Sequence, residues 1–107
     1  MRRRESKTVS PERLVWSDSS PIEAIPTGRS FVIEDERAFV LHFGLDGWHG
    51  VSDRPSFPFG GVHRVSLQRT DLRGRILNFT RFFPSEARWE GVDHVVRIGR
   101  ERVKQDV

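Results

Sequence analysis

The sequence has no cysteine and no tyrosine, and only two of its 18 basic residues are lysines. Without cysteine the chain can form neither a disulfide nor a thiolate metal cluster, and it has no thiol nucleophile. Its apolar runs fall short of the roughly 18 residues that a membrane-spanning helix needs. The basic residues Arg2–Arg4 are not followed by the apolar stretch of a secretory signal. We therefore expect an intracellular, cytoplasmic protein without a membrane partner.

Length and composition indicate one small domain with charged ends. A chain of 107 residues falls within the usual range for a single domain. Residues 1–13 are charged and lack periodicity, which predicts a flexible basic arm. Residues 14–99 then form the domain, and residues 100–107 form a charged tail. Because prolines interrupt the start of the domain, at Pro21 and Pro26, we expect an extended segment along an edge of the core there.

Short runs of β-branched and aromatic residues predict an all-β fold. The segments with this composition are Ser30–Glu34, Ala38–Gly44, Val62–Arg69, Ile76–Phe83 and Val92–Ile98. Glycine, proline and aspartate separate them, and no segment has a helical period of apolar residues. This pattern is typical of an antiparallel β-sandwich. Residues 44–61, which hold five of the nine glycines, are predicted to form a long functional loop.

The polar residues do not match the patterns of common catalytic or metal sites. The four histidines, His42, His49, His63 and His94, lack the spacing of a zinc site, and no hydrolase or nucleotide-binding motif is present. We therefore expect no enzymatic activity, no metal and no cofactor.

Arginines are concentrated around one predicted hairpin. They are Arg64, Arg69, Arg73, Arg75 and Arg81. Basic residues interleaved with aromatics can bind a nucleic-acid backbone. The net charge is only +3, however, because 15 acidic residues are mixed among the basic ones. We interpret the arginines as a solvated face and expect no nucleic-acid partner.

Two of the three tryptophans lie in segments predicted to be loops. Trp48 is flanked by glycines, and Trp89 stands between the charged residues Arg88 and Glu90, whereas Trp16 is predicted to belong to the core. Two exposed indoles form an apolar platform for the C–H faces of a sugar, and nearby polar side chains can bind its hydroxyls. The candidate carbohydrate-binding residues are therefore Trp48 and Trp89, with polar contacts from Asp46 and from His42 or His49.

Two blocks of the sequence occur in an order known from one group of binding modules. The first is Phe39–Trp48, which contains His42-Phe43-Gly44 and Asp46-Gly47-Trp48; the second is Ile76–Phe83 followed by Trp89 and a last strand over Val92–Ile98. Together they resemble the starch-binding carbohydrate modules of families 25 and 53, with family 26 as a looser relative. The resemblance covers about residues 30–99.

The resemblance implies an immunoglobulin-like β-sandwich that binds α-glucan without cleaving it. His42, Trp48 and Trp89 are the positions that correspond to the sugar platform of those modules, and the partner is an α-glucan or a glucan-active enzyme. The chain departs from the pattern after the second tryptophan, where Glu90-Gly91-Val92 replaces Asp-Asn-Asn. An alternative is therefore a protein-interaction or accessory domain that has lost sugar binding.

Overall fold

The computed structural model describes residues 13–99, and these residues form ten β-strands and no α-helix. The strands, numbered in chain order, are β1 Arg13–Trp16, β2 Ala24–Ile25, β3 Ser30–Asp35, β4 Val40–Leu45, β5 His49–Pro55, β6 Phe57–Phe59, β7 Val62–Leu67, β8 Ile76–Phe83, β9 Arg88–Trp89 and β10 His94–Ile98. Short 3₁₀ turns follow β7, at Arg69–Asp71, and β8, at Pro84–Glu86. No helix within this range has the length and apolar character needed to cross a bilayer. The predicted arm and tail lie outside the described residues, except for Arg13.

The strands form two sheets that enclose one core. The first sheet has the order β2-β10-β8-β4-β5, with β9 paired to the end of β8, and the second has the order β1-β3-β7-β6. Alternate residues of the central strands point between the sheets, as Leu41 and Phe43 do on β4 and Leu77 and Phe79 do on β8. These side chains pack against Phe31, Ile33, Val65 and Leu67 of the second sheet. The all-β prediction is thus confirmed.

The chain before β3 is extended along the sheet edges, as its prolines predicted. β1 pairs with β3 at one edge of the second sheet, and β2 pairs with β10 at one edge of the first. Both pairs are parallel, so the sheets are mixed and the prediction of a purely antiparallel arrangement is wrong. Trp16 at the end of β1 is buried in the core, which confirms its predicted place.

The predicted long loop over residues 44–61 is also wrong. This segment forms β5 and β6, which are the outer strands of the two sheets. Most residues of β5 and all three of β6 are exposed, so neither strand shows the alternation of apolar and polar residues that marks a half-buried strand. Glycine and proline are tolerated there because an edge strand pairs on one side only.

Arg81 is buried at the end of the sandwich where β3 and β8 finish. The predicted solvated face is therefore wrong for this residue, whose side chain is 2% exposed and forms ion pairs with Asp18, Asp35 and Glu90. The guanidinium donates to these carboxylates over 2.8–3.0 Å and lies 5.0 Å from the Trp16 ring. Asp18 follows β1 and Asp35 ends β3, and both of these strands belong to the second sheet, whereas Arg81 lies on β8 of the first sheet. The network therefore joins the two sheets.

Two carboxyls of this network ionise more readily than in solution. Burial by itself raises the pKa of Glu90, but hydrogen bonds from Arg81 and His94 outweigh it, and the pKa lies below its ordinary value. Burial opposes ionisation of Asp35 in the same way, and hydrogen bonds from Arg37 with the charges of Arg37 and Arg81 lower its pKa. Both groups are thus stabilised as anions by the folded structure.

Replacing Arg81 by leucine should destabilise the fold strongly. The change leaves the buried carboxylates of Asp35 and Glu90 without their central cation, and removing one partner of such a network costs about 3–5 kcal/mol. The matched control is Arg88→Leu, because Arg88 is exposed and its pair with Glu86 contributes about 1 kcal/mol or less. Urea unfolding measures both, and equal midpoints for the two variants would contradict the assigned role.

The Glu90 contribution should disappear in acid. Since its pKa is lower in the folded than in the unfolded chain, the stabilisation is complete above the ordinary value of 4.5 and is lost as the pH falls through the folded value. The stability difference between the wild type and Glu90→Gln should therefore be larger at about pH 6 than at about pH 3. Urea unfolding at the two pH values tests this, and a constant difference would be the contrary result.

Candidate functional site

Four rings from distant parts of the chain meet on the outer face of the first sheet. His42 stacks on Trp48 with ring centroids 5.6 Å apart and an angle of 29° between the planes. The edge of Trp89 meets the same imidazole at 5.4 Å, and Phe82 contacts Trp89 at 5.2 Å. We call these four residues the aromatic group. The structure therefore brings together the three residues that the resemblance pointed to, and His42 links the two indoles.

His42 faces solvent because its neighbours on β4 face the core. Leu41 and Phe43 are buried on the inner face of the sheet, so the alternation of the strand turns His42 outwards, where its side chain is 31% exposed. The Nδ1–H group donates to the carboxylate of Asp53 on β5. This bond orients the ring, and in the neutral imidazole it leaves Nε2 as an acceptor. No side chain or backbone group of residues 13–99 hydrogen-bonds to that atom.

The turn that follows β4 folds Trp48 back onto the sheet. The amide oxygen of Asn78 accepts the N–H groups of Gly47 and Trp48, at 2.8 and 3.3 Å. Gly44 lies beneath the turn, where a Cβ atom would come within 2.9 Å of the Trp48 Cα. The absence of a side chain at position 44 and the amide at position 78 therefore set the height of the Trp48 ring above the sheet.

The backbone of Trp48 is in a conformation that large side chains avoid. Its φ of 69° lies in the left-handed region, which costs a residue with a Cβ atom free energy relative to the usual conformations. Asp46 and Gly47 in the same turn also have positive φ values. The presence of a tryptophan at this position favours a functional use of its ring, because a glycine or an asparagine would adopt the same backbone conformation at a lower cost in free energy.

Trp89 is held at the surface by the residue that follows it. The Glu90 backbone N–H donates to the Arg81 carbonyl at 2.9 Å, while the Glu90 carboxylate belongs to the Arg81 network. Glu90 is thus nearly buried rather than solvated, and the strand alternation turns Trp89 outwards, where it is 50% exposed. The hydroxyl of Thr80 donates to the Val92 carbonyl at 2.7 Å and fixes the remainder of this segment.

Asp46 and His49, the other two predicted site residues, lie in the turn after β4 and at the start of β5, and the Asp46 side chain lines a separate cleft at the end of the sandwich. The Asp46 carboxylate accepts the backbone N–H groups of Arg75 and Ile76, and these bonds lower its pKa. His49 is exposed at the start of β5, and its charge also contributes to lowering the pKa of Asp46. Within residues 13–99, no ring contact joins His49 to the aromatic group, so His42 is the histidine that the fold places between the tryptophans.

Several residues that shape the site were not predicted from the sequence. Asn78 and Phe82 lie at outward-facing positions of β8, and Asp53 lies on β5 within the segment that was predicted to be a loop. The alternation of β8 itself identifies Asn78 and Phe82 as outward-facing, but no local signal shows that the turn folds over Asn78. No group of three or more metal-ligating side chains occurs among the described residues.

Removing the Asn78 amide should release the turn that carries Trp48. In Asn78→Ala, two backbone donors lose their acceptor at a cost of about 1–3 kcal/mol, and amide hydrogen exchange at Gly47 and Trp48 should become faster. Asn78→Asp is the matched control, because it keeps an oxygen acceptor of the same length. If both variants exchanged these amides at the wild-type rate, Asn78 would not hold the turn.

Comparisons of this chain with protein-family models, with curated proteins and with solved structures find no match.

Proposed function

We propose that this protein is a non-catalytic carbohydrate-binding module of the immunoglobulin-like β-sandwich type, which binds an α-glucan of the starch or glycogen kind. The observation that carries the proposal is the contact of Trp48 and Trp89 with one imidazole on a solvent-facing sheet. Because both indoles contact the same imidazole, they are close enough for a single ligand to meet both. The resemblance in sequence supplies the choice of an α-glucan among the sugars.

In the proposed complex, glucose rings stack on the exposed indole of Trp89 and on the indole of Trp48, which is half-buried rather than exposed as the sequence predicted. Stacking on an aromatic side chain contributes on the order of 1–3 kcal/mol per ring, so two platforms give micromolar to millimolar affinity after the cost of ordering the ligand. The Nε2 atom of His42 accepts a hydrogen bond from a sugar hydroxyl, since Asp53 already binds Nδ1. Such weak sites act on polymers or beside a tethered enzyme, where repeated contacts add to the affinity.

The aromatic group is ordered before any ligand arrives. The Asn78 contacts hold the Trp48 turn, and the Arg81 network holds the segment of Trp89. The ligand therefore does not have to order the two turns when it binds, which favours affinity from a small contact area. This is the property that a platform of only two indoles requires.

The alternative is a protein-interaction or accessory domain without sugar binding, and one observation favours it. Phe57 and Phe59 on the edge strand β6 are 46% and 51% exposed, on a strand that has only one partner. An edge of this kind can pair with a strand of another protein. A domain with this function should bind a protein partner or form a dimer, and it should not bind glucans.

Titration with maltoheptaose should shift the indole N–H signals of Trp48 and Trp89 in a saturable manner. Trp48→Ala and Trp89→Ala should each weaken binding by roughly tenfold or more, since each removes one stacking platform. The matched control is Val95→Ala, which trims an exposed apolar side chain on β10 outside the aromatic group and should leave affinity unchanged.

Two further readouts complete this experiment. Affinity should change little with salt, because stacking on indoles involves no ion pairs, and urea unfolding of Trp48→Ala should show an intact fold. Unchanged tryptophan signals at millimolar maltoheptaose would contradict α-glucan binding. Sedimentation of the same sample as a dimer that is lost in Phe57→Ser would instead support the interaction domain.

A further inference from the structure

A concave surface, separate from the aromatic group, lies at the end of the sandwich where β3 and β8 begin. It is an open cleft of about 1200 Å³ formed by the β2–β3 connection, the turn after β7 and the start of β8. Its most prominent side chains are four arginines, Arg29, Arg69, Arg73 and Arg75. The Arg81 network is at the opposite end of these strands, so the cleft is separate from it.

The cleft gathers four arginines in a chain where five other arginines are paired with carboxylates. Arg37, Arg54, Arg64, Arg81 and Arg88 all form ion pairs with carboxylates. Within the part of the chain that the structure describes, none of the four cleft arginines forms such a pair. The one carboxylate that lines the cleft belongs to Asp46 and accepts two backbone N–H groups. The nearby Asp71 is held by two hydrogen bonds from Arg54.

Arg29 also carries a buried donor without an acceptor. Its Nε atom is inaccessible to solvent and makes no hydrogen bond, whereas burial of a charged polar group normally requires a partner. Leaving such a donor unpaired costs free energy in the unliganded protein. Arg29 also lines the open cleft, and guanidinium groups pair with phosphoryl oxygens in a planar, two-bond geometry, so an oxyanion bound there would gain a charge-assisted partner.

The shape and lining of the cleft favour a compact ligand. None of the residues that line it is aromatic, so it lacks the stacking platforms by which proteins bind single-stranded nucleic acid or sugar rings. Arg69 and Arg73 approach from the turn after β7, and Arg29 from the β2–β3 connection. Four cations around one concave surface match several negative charges on a small molecule.

From these observations we propose that the cleft binds a small, multiply charged phosphate-bearing ligand, held by Arg29, Arg69, Arg73 and Arg75. This site is distinct from the aromatic group and does not depend on the sugar-binding proposal.

Titration of the full chain with inorganic pyrophosphate at about 150 mM salt tests the site by amide NMR spectra. We expect saturable shifts at residues 27–29 and 69–75, and roughly tenfold weaker binding in Arg29→Gln and in Arg73→Gln. The matched control is Arg88→Gln, which removes an exposed arginine remote from the cleft and should bind as the wild type does. Addition of maltoheptaose should leave the cleft signals unchanged, so failure of either proposal is recognised separately.

The stability of Arg29→Gln provides an independent readout. If Arg29 is placed for a ligand, removing its unpaired buried donor should leave the urea midpoint unchanged or raise it, whereas a structural arginine would lower it. Shifts that do not saturate, equal binding by Arg29→Gln and the wild type, or tighter binding of a single-stranded oligonucleotide through residues outside the cleft would each overturn the proposal.

Discussion

The buried guanidinium of Arg81 is the constraint on which the arrangement of this domain depends. A cation within an apolar core is stable only if carboxylates surround it, and those carboxylates come from the turn after β1, the end of β3 and the segment after β9. The same ion pairs therefore join the two sheets and hold in place the segment that carries Trp89. A purely apolar residue at position 81 could fill the core but could not direct Glu90 inwards and Trp89 outwards.

Polar contacts, together with the contacts among its own rings, hold the aromatic group in place. An amide side chain holds the Trp48 turn, a carboxylate orients His42, and the Arg81 network places Trp89. Exposed rings gain little from the core, so directional hydrogen bonds have to determine their positions. The left-handed backbone of Trp48 adds to this view, because the fold accepts a strained turn in order to present an indole at the surface. At the arginine cleft, too, the fold accepts a local cost in free energy beside a surface that can bind a ligand, since the Nε atom of Arg29 is buried there without an acceptor.

Part of the site was accessible from sequence reasoning and part was not. The strand over Ile76–Phe83 was predicted correctly, because its apolar residues, with Leu77, Phe79 and Phe83 on one face, are a local property of the sequence. The buried position of Arg81 in the same strand was not, because its partners are up to 63 residues away along the chain. The strands β5 and β6 were missed for a different reason. Edge strands exposed on most of their residues carry no burial pattern, and their pairing with β4 and β7 is what makes them strands.

The amino-acid sequence by itself determined the all-β class, the positions of the central strands and the burial of Trp16, because each follows from local propensity and from the need to remove apolar side chains from water. Only the tertiary structure decided that β1 and β2 pair in parallel with their neighbours, that Arg81 lies inside, and that His42 stands between two tryptophans. These features depend on groups far apart in sequence whose charges, hydrogen bonds and rings become neighbours only when both sheets have formed.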